Sequence, residues 1–68
     1  MITFAQRLKE LRHERAITMR ELSKILGVSE ATISYWENNK SEPTLEKVLT
    51  IAKYFKVSID YLVGLEDY

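Results

Sequence analysis

Apolar residues recur at intervals of three and four in five separate stretches of the chain, and no stretch alternates with a sustained period of two. The five sets are Phe4, Leu8 and Leu11; Leu22, Ile25 and Leu26; Ile33 and Trp36; Leu45, Val48, Leu49, Ala52 and Phe55; and Ile59, Leu62 and Val63. Each set forms one stripe of a helix, so the pattern predicts helices at 4–15, 19–26, 30–38, 45–55 and 59–64, with ends good to ~2 residues. A Ser or Thr precedes every stretch, at Thr3, Thr18, Ser29, Thr44 and Ser58, where its oxygen can accept a first-turn N–H. Thr3 with Gln6 and Thr18 with Glu21 have capping-box spacing, while Ile17/Leu22, Val28/Ile33 and Val57/Leu62 have the spacing of hydrophobic staples. The expected fold class is therefore all-α, five helices around one shared core.

The connections sharpen this picture. Gly27 falls just after the second stretch, where a left-handed residue ends a helix, and Val28 and Ser29 leave room only for a tight turn. The second and third helices must cross steeply. Pro43 stops whatever follows Lys40 and leads into the fourth helix. No repeat, low-complexity tract or linker divides residues 1–68, which are read as a single domain with its core at about 4–64.

A chain of 68 residues with 46% hydrophobic composition buries one small core and no more. Cysteine is absent and there is one histidine, so neither a disulfide nor a metal staple is available, and no cofactor or metal is expected. His13 beside Glu10 and Glu14 reads as a surface residue, because no second ligand accompanies it. No apolar run approaches a signal peptide or a membrane span, which points to a soluble, cytoplasmic protein. No histidine-bearing triad or glycine-rich phosphate loop is present, so an enzyme is not expected.

Charge sums to zero, ten Lys/Arg against ten Asp/Glu, which by itself argues against a nucleic-acid binder. The distribution argues otherwise. Residues 1–15 carry Arg7, Lys9, Arg12 and Arg15 against Glu10 and Glu14, and residues 43–56 carry Lys47, Lys53 and Lys56 against Glu46. Asp60, Glu66 and Asp67 form an acidic end without a cation.

The stretch GVSEATISYWENNK, residues 27–40, is where chemistry concentrates. Only Ile33 and Trp36 face inward at helical spacing, leaving Glu30, Ala31, Thr32, Ser34 and Tyr35 outward. Short hydroxyls, a methyl and a phenol suit base edges in a major groove, with Ala31 and the Thr32 methyl matched to thymine. A solvated face of no consequence would have the same composition. Glu30 is either a carboxylate favoured by the helix dipole or an acceptor for a cytosine amino group. Tyr35 either packs on sugar or a thymine methyl, or covers the edge of the core. Arg12, four residues after Leu8, and Glu37, four after Ile33, both lie on inward stripes, so they are expected to neutralise each other in a structural salt bridge.

The run TMRELSKILGVSEATISYWE, residues 18–37, resembles the helix-turn-helix of the Cro/C1-type family of phage repressors and xenobiotic-response-element regulators. The flanking RLKELRHERAIT and ENNKSEPTLEKVLTIAKYFKVSIDYL resemble the rest of that five-helix, lambda-repressor-like domain. The resemblance implies sequence-specific binding of double-stranded DNA by a bacterial or phage-encoded transcriptional regulator, most simply a repressor that occludes a promoter. The helix at 30–38 would be the recognition helix, with Glu30, Ala31, Thr32, Ser34 and Tyr35 reading bases. Ser29, Asn38, Asn39, Lys40 and Thr44 fall where the family touches phosphate. Family members often carry a phosphate-binding Gln where this chain has Met19, which leaves Arg20 and Arg15 as substitutes. The same resemblance implies the Arg12–Glu37 bridge. A homodimer on a near-palindromic operator is expected, built through Tyr61, Leu62, Val63, Leu65 and Tyr68, whose apolar surface exceeds what a one-turn helix needs. No small-molecule ligand is expected. An antitoxin, a restriction-system controller, the DNA-binding half of a longer regulator and an interaction adaptor that lost DNA binding are the competing readings.

Overall fold

The computed structural model describes residues 2–66. It contains five α-helices in chain order: α1 Ile2–Glu14, α2 Met19–Leu26, α3 Glu30–Glu37, α4 Leu45–Phe55 and α5 Ile59–Val63. No strand occurs among the described residues. The core draws on every helix: Phe4, Leu8 and Leu11 from α1, Leu22 and Leu26 from α2, Ile33 and Trp36 from α3, Val48, Ile51, Ala52 and Phe55 from α4, and Leu62 from α5. Ile17, Val28 and Val57, the leading partners of the three expected staples, pack against this cluster from the turns. Phe4 and Trp36 meet edge to face at 6.5 Å, which couples α3 to α1.

Four helices start on the expected residue. Thr18, Ser29, Thr44 and Ser58 each adopt extended backbone and accept the N–H three residues on. At α2 the capping box is complete, Glu21 accepting the Thr18 N–H at 3.0 Å while Thr18 Oγ1 accepts the Glu21 N–H at 3.0 Å. Bonding to Thr18, through its backbone first and its side chain second, holds the Glu21 carboxyl below its ordinary pKa. Its contribution to stability is thus present above the unfolded-state pKa and is lost as pH falls through the lowered folded one.

Thr3 is a correction. Helix α1 already begins at Ile2, so Thr3 lies within its first turn and not ahead of it. Its side chain lies close to the residue that ends α5, since a Cβ added to Gly64 would stand 2.8 Å from Thr3 Cγ2. Gly64 also holds φ +90°, so the position favours glycine twice over.

All five helices close through a left-handed residue: Ala16, Gly27, Asn39, Lys56 and Gly64. In each case the next N–H reaches back five residues, Ile17 to Arg12, Val28 to Ser23, Lys40 to Tyr35, Val57 to Ala52 and Leu65 to Asp60. Three residues expected in the core are exposed: Ile25, Leu45 and Leu49. On α4 the buried stripe runs through Val48, Ile51, Ala52 and Phe55, and Leu45 and Leu49 lie on its flank. On α2 the inward positions go to Leu22, Leu26 and the small Ser23, which leaves Ile25 at the side.

Candidate nucleic-acid interface

Helix α3 rests on the molecule by one edge. Ile33, Trp36 and Glu37 are buried, and the rest of its circumference is half-buried or exposed. The Glu37 carboxylate, with a fully buried side chain, accepts two hydrogen bonds from one guanidinium, 2.7 Å from Arg12 Nε and 3.0 Å from Arg12 Nη2. Arg12 Nη1 also donates to the Ile17 carbonyl at 3.0 Å, and Nη2 lies 3.3 Å from His13 Nε2. Hydrogen bonding to Glu37 raises the Arg12 pKa above its ordinary value, against the opposing effect of burial. Two-point geometry fixes rotation as well as position, so the bridge sets which face of α3 turns outward.

That outward face consists of Glu30, Ala31 and Tyr35, all exposed, flanked by Thr32 and Ser34, both half-buried. Tyr35 is 53% exposed and takes no part in the core, which leaves its ring and phenol available. Thr32 Oγ1 lies 2.9 Å from Ser29 Oγ, the same oxygen that accepts the Thr32 N–H, so the first turn of α3 presents a fixed pair of hydroxyls. Asn38 Nδ2 donates to the Ser34 carbonyl at 2.8 Å and lies 3.3 Å from Ser34 Oγ. Asn39 follows in the left-handed conformation that asparagine tolerates, and it turns the chain towards exposed Lys40. Thr44 lies beyond, its hydroxyl occupied by the Lys47 N–H.

The two arginines set against Met19 have different surroundings. Arg15 Nη2 donates to the Phe55 carbonyl at 2.8 Å, with the guanidinium 5.4 Å from the Phe55 ring centre. One of its donors is thereby engaged at the end of α4, and the residue itself stays exposed. Arg20 reaches α3, where its Nε donates to Glu30 Oε1 at 3.3 Å. Sequence reasoning missed this pair, whose only signal is opposite charge in the first turns of consecutive helices. Met19 itself packs against the core.

The expected dimer surface divides. Leu62 is fully buried because α5 has a single inward position and Leu62 fills it, so it is withdrawn from the interface. Tyr61 and Val63 are half-buried, and the Arg7 guanidinium stands 4.1 Å over the Tyr61 ring. Arg7 also donates to the Tyr61 and Glu66 carbonyls, both at 2.7 Å, an anchor of the chain end that sequence reasoning did not identify. Leu65 is 76% exposed, and Tyr68 lies outside the described residues. No group of three or more metal-ligating side chains occurs among the described residues, and no helix there is long and apolar enough to cross a membrane.

Known proteins share this arrangement. The family model for the helix-turn-helix, HTH_3, matches residues 8–62. An HTH-type transcriptional regulator of Methanocaldococcus jannaschii, MJ0272, is 39% identical across 90% of this chain and 92% of its own length. YobD of Bacillus subtilis (strain 168), also an HTH-type transcriptional regulator, is 33% identical over 94% of this chain and 57% of its own. Several curated relatives are longer proteins, of which the chain spans between 27% and 57%. Among solved structures, the c2 repressor of Salmonella phage P22 in complex with a synthetic operator superposes with a TM-score of 0.83 at 34% identity, covering 91% of this chain and 94% of that one.

Proposed function

We propose that this chain, which belongs to the helix-turn-helix family of Cro/C1-type regulators, binds double-stranded DNA sequence-specifically by placing α3 in the major groove, and that it represses transcription by occluding a promoter. One observation carries the reading: α3 is locked on its inner edge by a two-point buried bridge and presents Ala31 and Tyr35 outward. Glu30, Ala31, Thr32, Ser34 and Tyr35 are the reading residues. Arg20, Ser29, Asn38, Asn39, Lys40 and Thr44 surround them at the ends of α2, α3 and α4. The operator complex of the similar c2 repressor supports this orientation. Residues 4–64 act as one binding domain in the cytoplasm, and the chemistry is steric exclusion.

One α3 reads only a few base pairs, so the operator is near-palindromic and bound by a homodimer whose two α3 helices stand about 34 Å apart. Leu65, with the half-buried Val63 and Tyr61, supplies the apolar surface at that contact. The exposed Asp60 lies on the same helix, which turns acid away from phosphate.

Selection of bound sequences from random duplexes, followed by titration at rising salt, tests the reading. A single enriched motif with binding that weakens steeply as salt rises is expected. Lys40→Ala should weaken every sequence alike and flatten the salt dependence, whereas Tyr35→Ala should alter base preference. A neutral net charge and Met19 favour the adaptor reading, which predicts no retention on duplex DNA even at low salt. Sedimentation with the selected duplex tests the dimer: one protomer on a site without inverted symmetry removes it.

A further inference from the structure

We propose that Arg20, held by Glu30, is itself a base-reading residue that recognises guanine beside the α3 footprint, an assignment that rests on the DNA-binding reading above. Arg20 is the second residue of α2 and lies outside the helix expected to read bases. Its Nε nonetheless stands 3.3 Å from Oε1 of Glu30, the first residue of α3. The contact brings the Arg20 guanidinium to the N-terminal end of α3, next to the residues proposed to read bases. A guanidinium carries five N–H donors in a rigid fork, and the carboxylate occupies only the Nε side. Among the described residues no other hydrogen bond of the Arg20 side chain is found, so the two Nη groups remain as a planar pair of donors. That geometry matches the O6 and N7 acceptors of guanine in the major groove.

The charge arrangement selects a base over a phosphate. An unpaired Glu30 would repel the duplex, and an unpaired Arg20 would bind any phosphate within reach. Paired, their charges cancel, so the unit adds little to sequence-independent attraction while keeping its directional donors. Exposure helps as well. With side chains 75% and 54% exposed, the pair is held only weakly and can re-aim around a base at small cost. The inner pair, Arg12 with Glu37, has no such freedom.

The test uses the full chain, its Arg20→Ala, Arg20→Lys and Glu30→Gln variants, and the duplex selected by the wild type. Each protein is titrated against that duplex and against one with the flanking G·C pair replaced by A·T. The wild type should bind the altered duplex roughly tenfold more weakly. Arg20→Ala and Arg20→Lys should bind the two duplexes alike, since lysine keeps the charge but lacks the fork. Glu30→Gln should narrow the discrimination at the same base pair. Weakening of both duplexes by an equal factor in Arg20→Ala would make Arg20 a phosphate contact and overturn the proposal. A Glu30→Gln effect confined to a different base pair would overturn it too. Failure of the wild type to select any motif would instead remove the DNA-binding reading beneath it.

Discussion

Helix α3 carries an Arg–Glu pair on each side, and the two have opposite uses. Inside, Arg12 and Glu37 meet through two hydrogen bonds with the carboxylate side chain wholly buried. Outside, Arg20 and Glu30 meet through one longer contact in solvent. Desolvation makes the inner pair costly to break, because either partner left alone would be an uncompensated buried charge. Water screens the outer pair until its net contribution is close to nothing. The same two residue types therefore fix the helix on one face and leave an adjustable charge unit on the other.

The sharpest way to break this contrast is to remove one inner partner. Arg12→Ala or Glu37→Ala should destabilise the fold by about 3 kcal/mol, read as a lower urea midpoint at constant slope. The double variant should lose less than the two single losses together. Additive losses in that cycle would mean that the pair does not act as a unit.

Ser29 stands between the two faces, capping α3 while engaging the Thr32 hydroxyl. Ser29→Ala should cost about 1 kcal/mol, close to the loss of an ordinary N-cap. A loss near that of Glu37→Ala would show that the outer face is as rigid as the inner.

Ala16 probes the inner pair from the chain side. Its left-handed φ of 53° is held in the turn that Arg12 closes through the Ile17 carbonyl. Ala16→Gly relieves a left-handed penalty but adds freedom to the unfolded chain, so a gain of about 0.5 kcal/mol is expected. Thermal unfolding of the variant measures it, and a loss would place the strain elsewhere.

What could be read from the sequence follows the range of the interactions. Four caps and the spacing of three staples were legible because they join residues three to five apart. The partition of α3 was legible for the same reason, since Ile33 and Trp36 alone leave one face free. Thr3 misled because the helical backbone already starts at Ile2, before the first apolar residue of the stripe at Phe4. Leu45 and Leu49 misled because two stripes on α4 satisfy helical spacing, and only the position of neighbouring helices decides which is buried. Gly27 announced its left-handed closure by residue type, whereas Ala16 and Lys56 take the same conformation with side chains that do not signal it. In the site, the Arg20–Glu30 contact spans two helices, so it depends on a crossing angle that no local pattern encodes.

The smallest expected effect belongs to the outer pair itself. Exposed Arg–Glu pairs contribute roughly 0.2–1 kcal/mol in double-mutant cycles, and a single contact of 3.3 Å with both side chains largely in water belongs at the lower end. Arg20→Ala, Glu30→Gln and the double variant should therefore unfold within about 0.5 kcal/mol of the wild type. Whatever coupling remains should fade between low salt and about 1 M, where the screening length falls to about 3 Å. The inner pair, excluded from solvent, should keep its coupling over the same range. Equal salt sensitivity of the two cycles would erase the distinction, because it would place both pairs in the same dielectric surroundings. A salt-resistant coupling at Arg20 and Glu30 would mean instead that the outer pair braces the α2–α3 turn, and that its freedom to re-aim at DNA is absent.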